Sequence, residues 1–442
     1  MSNQFQLFKA QRFRALFLTQ FLGAFNDNVF KTALITLVVF RTNQLTSIDA
    51  TTMATLLPGL FILPFFLFSA TAGQIADKFE KSQLIRIVKA CEIIIMLIAS
   101  IGFLMHSMLL LASTLFMMGA QSALFGPVKY AYLPQQLHED ELLGGNGMIE
   151  TGTFIAILLG QILGAWLAMH SHREFNISLS IITLAMIGYW CSRSVPATAA
   201  VDPKLAINWH LFRETVCNLT FVWQRQSLWL AIIGISWFWF FGATLLAQLP
   251  NFAKLTLYGD ESVFILMLSV FSMGIGIGSL LCEKLTNHRI ELGLVLFGGI
   301  GITLFGIDLY ATSTHVSTAI APTIAHSYMY FLSSFTHLHL LLDILLIGIF
   351  GGFYIVPLYT FIQCPLEKSH QSRIIAANNI MNALFMVVSA LFSLCIFSLG
   401  FNIPQLFLVT SMLSAIFMII LCMRQPVFLS RFLAWTCIRK HK

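Results

Sequence analysis

Apolar runs of roughly twenty residues, broken by short polar segments, recur along the whole chain. A run of about 20 apolar residues crosses the ~30 Å hydrocarbon layer of a bilayer as a single helix. The pattern predicts twelve such helices, at about 15–40, 53–76, 84–105, 108–133, 146–169, 175–192, 228–250, 262–282, 290–310, 338–362, 374–399 and 403–423. The third and fourth nearly merge, so eleven is the alternative. The fold class is all-α and integral to a membrane. The widest inner break, 193–227, holds Pro196, Pro203 and an amphipathic stretch, Trp209–Trp223. It divides the chain into a six-helix bundle at 1–192 and another at 228–424, followed by a basic tail at 425–442. Phe428, Phe432 and Trp435 place that tail on the inner leaflet, where basic residues meet anionic lipid. The outer segment 311–337 reads as polar and irregular.

Composition agrees. Of 442 residues, 57% are hydrophobic and 10% charged, where soluble domains carry about 25% charged residues. The net charge of +6 is spread over short loops, which speaks for membrane topology and against nucleic acid. With both termini cytoplasmic, twenty of the 25 Lys and Arg fall on inner segments, Lys78, Lys81 and Lys89 among them; Arg41, Arg173 and Lys254 lie outside, and Lys31 and Lys129 fall within spans. The acidic run His138–Glu141 dissents from this inner bias, but acidic residues count little in it. The eight cysteines show no CxxC spacing, so no disulfide framework is expected, and no cleavable signal peptide is expected at the N-terminus.

Between the second and third spans the chain reads Gly73-Gln74-Ile75-Ala76-Asp77-Lys78-Phe79-Glu80-Lys81. This resembles the GxxxD[RK]xx[RK] signature of the major facilitator superfamily. Gly73 lets helices approach closely, Asp77 can accept from backbone amides or an arginine, and Lys78 and Lys81 hold the loop inside. Glu80 stands where the family usually has glycine. Ser279-Leu280-Leu281-Cys282-Glu283-Lys284 reads as a degraded copy in the second half. Asn146 and Glu150 are echoed by Asn378 and Asn382 at the same spacing, as a parallel internal repeat predicts. The resemblance implies the major facilitator fold, about twelve helices in two six-helix halves.

Charges at bilayer depth are costly and mark function by default. Asp27 and Lys31 lie four apart on one face of the first span, beside Asn28, and can pair. They form either a self-neutralising pair that fixes packing or a headgroup or ion site facing a cavity. In the fourth span Pro127 opens the backbone ladder beside Lys129 and Tyr130. Lys129 can take a phosphate, pair with Glu150, or snorkel to the interface. Glu150 sits one turn into the fifth span, near the interface. Glu92 reads as a solvated or paired end residue, Asp308 as interfacial, and Asp343 stays open. Gly160 and Gly164 read as a close-packing face, as do Gly274, Gly276 and Gly278. His315, His326, His337 and His339 gather on the outer loop without a metal-ligand spacing, so neither a metal nor a cofactor is expected.

Longer blocks resemble a narrower family. Gln20–Asn28, Phe125–Tyr130, Asn146–Glu150, Phe350–Pro357 and Arg373–Phe385 are similar to bacterial lysophospholipid transporters, and the last resembles the transporter half of proteins fused to a lysophospholipid acyltransferase. The resemblance implies a flippase of the bacterial inner membrane, multi-pass, moving lysophosphatidylethanolamine and lysophosphatidylglycerol to the cytoplasmic leaflet for re-acylation. By position, Asp27, Lys129, Glu150 and Asn378 would line the headgroup path, with Asn28, Lys31, Tyr130 and Asn382 beside them. Phe241–Leu249 lacks the arginine found in the stand-alone transporters, which weakens the case for a charge-coupled mechanism. None of the 12 histidines starts an acyltransferase His-x4-Asp pair, so either a separate acyltransferase would be the partner or the tail marks where a fusion was lost. The alternatives are a drug or siderophore exporter of the same superfamily, and a membrane enzyme or acyltransferase assembly factor. No nucleophile triad, metal cluster or GxxxxGK[ST] loop supports an enzyme or an ATP-driven pump.

Overall fold

The computed structural model is almost entirely helical and describes residues 4–40, 50–169, 172–286, 291–317, 326–363 and 371–440. Twelve long helices account for the predicted spans: α1 (Gln11–Phe40), α2 (Ala50–Lys78), α3 (Lys81–Leu104), α4 (Met108–Gln136), α5 (Glu139–Met169), α6 (Arg173–Arg193), α8 (Gln226–Asn251), α9 (Glu261–Thr286), α10 (Gly293–Ser317), α12 (Phe335–Gln363), α13 (Gln371–Ser398) and α14 (Ile403–Arg424). Three shorter ones are α7 (Leu211–Trp223), α11 (Tyr328–Ser333) and α15 (Val427–Lys440). Among the described residues, eleven helices are long and apolar enough to cross a membrane. α1 is not among them. It has the length, but Asn26, Asp27, Asn28 and Lys31 interrupt its middle.

Three expectations are corrected. The outer segment 311–337 is mostly helical where it is described: α10 runs to Ser317, α11 forms a short turn, and α12 begins at Phe335, with His326, Ser327 and Ser334 outside the helices. Residues 318–325 of that segment lie outside the described residues. The fifth span starts seven residues early, at Glu139 rather than 146, because Glu139, Asp140 and Glu141 fill its first turn, where acidic side chains meet the positive end of the helix dipole. Glu150 is therefore about three turns inside and buried, not interfacial. Six cysteines are described and all are free; Cys364 and the Cys437 side chain lie outside the described part of the chain.

The chain divides into two compact units, each drawn mostly from one half of the sequence. The first comprises Met1–Gly145, Ile155–Gln226 and Ile362–Ala383, and the second Asn146–Phe154, Ser227–Phe361 and Leu384–Lys442. The core of the first joins Phe30 and Leu34 of α1, Ile95 and Phe103 of α3, Leu111 and Leu115 of α4 and Ile181 of α6. α3 shows how these helices are sorted. Ile87, Ile94, Leu97 and Ile101 stand exposed along one face, while Lys89 and Glu92 are buried on the other. Apolar side chains outward and charges inward is the polarity that lipid demands. Gly160 and Gly164 form the expected seam: a Cβ at Gly160 would lie 2.6 Å from the Phe25 carbonyl oxygen, and one at Gly164 would lie 2.5 Å from that of Val29. In the second unit Gly274 and Gly278 of α9 bring its backbone against Leu345 and Ile349 of α12. The tail helix α15 also packs there, with Trp435 Nε1 donating to the Leu285 carbonyl at 3.2 Å.

Candidate functional site

A polar cluster lies inside the apolar bundle of the first unit, where α1, α3 and α4 meet. Glu92 is 1% exposed and accepts three partners. Lys89 Nζ pairs with Oε2 at 2.6 Å, Asn26 Nδ2 donates to Oε1 at 3.0 Å, and Gln121 Nε2 donates to Oε2 at 3.3 Å. Lys89 is equally buried, its ammonium 5.5 Å from the centre of the Phe125 ring. Gly23 of α1 makes room for it, since a Cβ there would overlap Lys89 Nζ. Two expectations fall here. Lys89 belongs to the interior of α3 and not to a cytoplasmic loop, and Glu92 is the centre of a buried network rather than an end residue.

One turn along α1, Ser122 Oγ donates to Asp27 Oδ2 at 3.0 Å, while Asp27 Oδ1 is buried and has no hydrogen bond among the described residues. Lys31 Nζ lies 4.3 Å from the centre of the Phe61 ring. The predicted Asp27–Lys31 pair is not formed: no ion pair joins them among the described residues. The lysine takes the face of an aromatic ring, and the carboxylate turns to a hydroxyl. Asn28 is directed elsewhere again, its Nδ2 donating to the Ala24 carbonyl at 2.7 Å on the seam with α5. The four charges Asp27, Lys31, Lys89 and Glu92 are two of each sign, and only Lys89 and Glu92 are joined as an ion pair among the described residues. That pair saturates itself, while Asp27 and Lys31 do not saturate each other.

The other predicted site residues are distributed as follows. Lys129 lies half-buried on α4, 4.3 Å from the centre of the neighbouring Tyr130 ring. Asn378 is fully buried at the start of α13, and neither of its amide atoms finds a partner among the described residues. Its neighbour Asn379 lies against Gly126, where a Cβ would come within 2.5 Å of Nδ2. Asn382 is buried one turn further along α13. Asp27, Asn28, Lys31, Lys129, Tyr130, Asn378 and Asn382 belong to the first unit, and Glu150 to the second.

The motif after α2 is a packing and capping device. A Cβ at Gly73 would stand 2.9 Å from Ala376 Cβ and 3.1 Å from the Ser372 carbonyl oxygen, so the glycine sets how closely α13 approaches. Asp77 meets the expected arginine, Arg373, at 3.5 Å. Lys78 is half-buried beside Phe79. Lys81, read as a charge that holds the loop inside, is the first residue of α3 and is fully buried. Glu80 is the N-cap of α3. It accepts from the backbone amides of Ser82 (2.7 Å), Gln83 (2.8 Å) and Thr198 (2.8 Å). Burial pushes its carboxyl up, but the hydrogen bonds from Thr198, Ser82 and Gln83 outweigh that and hold it below the usual carboxylate range. The residue that departs from the signature caps a helix and ties down the linker.

At the far end of the second unit, Asp308, His339 and Asp343 come together, with His339 Nε2 3.1 Å from Asp308 Oδ2 and 3.8 Å from Asp343 Oδ1. Asp343, left open by the sequence, is 1% exposed and takes a hydrogen bond from Thr312 at 3.3 Å. Of the other histidines, His337 is buried on α12 and His326 stacks on Tyr330. In α8, Phe241, Thr244 and Leu245 line a small cavity with Phe407, Thr410 and Ser411.

Residues 16–390 match the family model of the Major Facilitator Superfamily. The chain belongs to the major facilitator superfamily. Among curated relatives of this major facilitator protein, the Lysophospholipid transporter LplT of Escherichia fergusonii is 26% identical over 390 residues, covering 87% of this chain and 88% of the relative. That of Citrobacter koseri is 26% identical over 389 residues, covering 85% and 86%. These matches agree with the resemblance read from the motifs. Solved structures of the same fold include the human organic anion transporter MFSD10, with a TM-score of 0.70 at 13% identity over 92% of this chain and 99% of that one. A variant of the Escherichia coli fucose:proton symporter FucP follows at 0.66 and 13%, over 93% and 98%. The protein is a multi-pass membrane transporter of this superfamily, and not an enzyme.

Proposed function

We propose that this transporter carries lysophosphatidylethanolamine, and lysophosphatidylglycerol with it, from the outer to the cytoplasmic leaflet of the bacterial inner membrane by alternating access. Both termini would be cytoplasmic, and a separate acyltransferase on that side would re-acylate the cargo. The observation that carries this reading is the set of relatives named lysophospholipid transporters, which align over 85–87% of the chain. The geometry of the first unit supports it. A lysophospholipid presents an anionic phosphate and, in the ethanolamine form, a cationic amine a few bonds away, on one acyl chain. Asp27, with one oxygen that has no partner among the described residues, suits the amine. Lys31, resting on an aromatic ring, suits the phosphate, to which lysine is a point-charge partner. Lys129, Tyr130, Asn378 and Asn382 extend the proposed path within the first unit, and Glu150 is the residue proposed for the second.

The test offers labelled lysophosphatidylethanolamine to spheroplasts without their own flippase, with a cytoplasmic acyltransferase present. Conversion to the diacyl lipid should depend on this protein and fall sharply in Asp27→Asn and Lys31→Met at unchanged membrane levels. No conversion with the wild-type protein present and the acyltransferase active would overturn the lipid reading and favour export of an apolar drug or a siderophore. Conversion that survives both substitutions would remove the two residues from the path.

A further inference from the structure

α7 divides its surface among three environments. At about 100° per residue, Glu214, Thr215, Asn218 and Val222 share one sector, and all four are buried. Their cover is the first unit itself, because the segment leading into α7 is fastened to the end of α2. Asn208 N donates to Gln74 Oε1 at 2.8 Å, and Asn208 Nδ2 to Glu214 Oε2 at 3.2 Å. The amides of Val201 and Asp202 both donate to the Asp77 carbonyl at 3.0 Å. A second sector carries Phe212, Val216, Leu219 and Trp223 at spacings of four, three and four, and Trp209 stands just before the helix. Trp209 is 70% exposed, Phe212 71%, Val216 63% and Trp223 64%. A third sector, also exposed, is polar: His210, Arg213, Thr220 and Gln224.

This is inverted with respect to a helix on a soluble protein. Such a helix buries its apolar stripe and exposes the polar one. Here the polar residues face the protein, and the apolar stripe faces outward. A row of exposed aromatic and aliphatic side chains, with the half-buried Leu219 among them, is not left in water. Its position along the chain settles what covers it. α7 ends at Trp223 and the membrane-spanning α8 begins at Gln226, so the stripe lies within a few residues of the bilayer surface. Arg213 borders it, matching the negative surface of anionic lipid, and tryptophans stand near both ends, where their amphipathic rings favour the headgroup boundary.

We infer that α7 is a membrane-interface helix, lying along the bilayer with Trp209, Phe212, Val216, Leu219 and Trp223 in the headgroup–acyl boundary, Glu214, Thr215, Asn218 and Val222 on the protein, and His210, Arg213 and Gln224 in water. The linker is then a fixed strut rather than a slack tether. It joins the bilayer surface to the end of α2, at the same residues that carry Asp77 and Glu80. Such helices bind by buried apolar area together with attraction to anionic lipid.

The experiment places the photo-crosslinking amino acid p-benzoylphenylalanine, one position at a time, at Phe212, Val216, Arg213 and Gln224 of the full chain in native membranes. Adducts are identified by mass spectrometry. Phospholipid adducts at 212 and 216, exceeding those at 213 and 224 several-fold, are the expected result. Protein adducts at 212 and 216 would overturn the assignment in favour of a partner chain or a second copy. No adduct at 212 or 216, with 213 and 224 equally silent and a lipid-facing control at Ile94 of α3 reactive, would place the stripe in water and overturn it as well. None of these outcomes depends on which cargo the protein carries.

Discussion

Removing Lys89 alone should cost far more than removing Lys89 and Glu92 together. The two charges stand 2.6 Å apart and each is 1% exposed. At that separation and an effective dielectric near 20, their attraction is about 6 kcal/mol, set against several kcal/mol to desolvate each ion. The net value of the pair is therefore small, while an orphaned partner is expensive. Lys89→Met leaves the Glu92 carboxylate buried with only the Asn26 and Gln121 amides, and a broken buried pair costs about 3–5 kcal/mol. Glu92→Gln leaves the ammonium over Phe125 with an amide in place of its counter-ion, and should lose a similar amount. In Lys89→Met with Glu92→Gln, no charge is stranded and the glutamine carbonyl still accepts from Asn26, so most of the loss should return. The assay is unfolding of the purified protein in mild detergent titrated with SDS, followed by tryptophan fluorescence for all four forms. The coupling term of the cycle should be at least about 2 kcal/mol. Single variants as stable as the wild type, or additive losses in the double variant, would refute the account of a self-saturated pair and return Lys89 to the loop.

Two further outcomes follow from the signature segment. Gly73→Leu should destabilise the first unit by about 1–3 kcal/mol through overpacking against Ala376 and Ser372, and Gly73→Ala by less, read in the same SDS titration; equal stability for both would show that α13 does not pack as described. Glu80→Ala should cost about 0.5–2 kcal/mol as a lost N-cap. The Glu80 carboxyl is held below its ordinary range when folded, so its contribution is present above the unfolded carboxylate value near 4.3 and is lost as pH falls through the folded one. The stability gap between wild type and Glu80→Ala should narrow below about pH 4, and a gap that widens on acidification would contradict the capping role.

The spans were legible because length and apolarity are all that a bilayer asks of a helix, and both are local properties. The same locality explains the errors. Counting Lys89 with the cytoplasmic charges treated its sign as topology. Its register was the better guide, since Lys89 and Glu92, three apart, lie opposite the stripe Ile87, Ile94, Leu97 and Ile101. Asn26 and Gln121, which complete the network, lie far from Glu92 in sequence and carried no local signal. Asp27 and Lys31 had the spacing for an ion pair, yet Ser122 and Phe61 on other helices outcompete that contact. The segment 311–337 was read as irregular from its serines, threonines and histidines, but helix ends that emerge from a membrane carry such residues without unwinding. Asn378 stands out by an internal echo, but that neither of its amide atoms has a partner among the described residues depends on helices distant in sequence.

The second-half motif was read as degraded because Ser279 stands where Gly73 does in the first half. The packing gives a different account. At Gly73 the glycine is on the motif helix, and the start of α13 supplies Ser372 and Ala376 opposite it. At Ser279 the glycine is on the other side: a Cβ at Gly147 of α5 would come 2.6 Å from the Ser279 carbonyl oxygen. Each close approach needs one missing side chain, and either helix can omit it. Asn146 and Asn378, in register by the repeat, flank these two contacts, Asn146 donating weakly to Thr360 Oγ1 at 3.5 Å and Asn378 to nothing described. The repeat has kept the contact while moving the glycine across it. An internal repeat in such a chain is therefore better sought in pairs of facing segments than in one segment's letters.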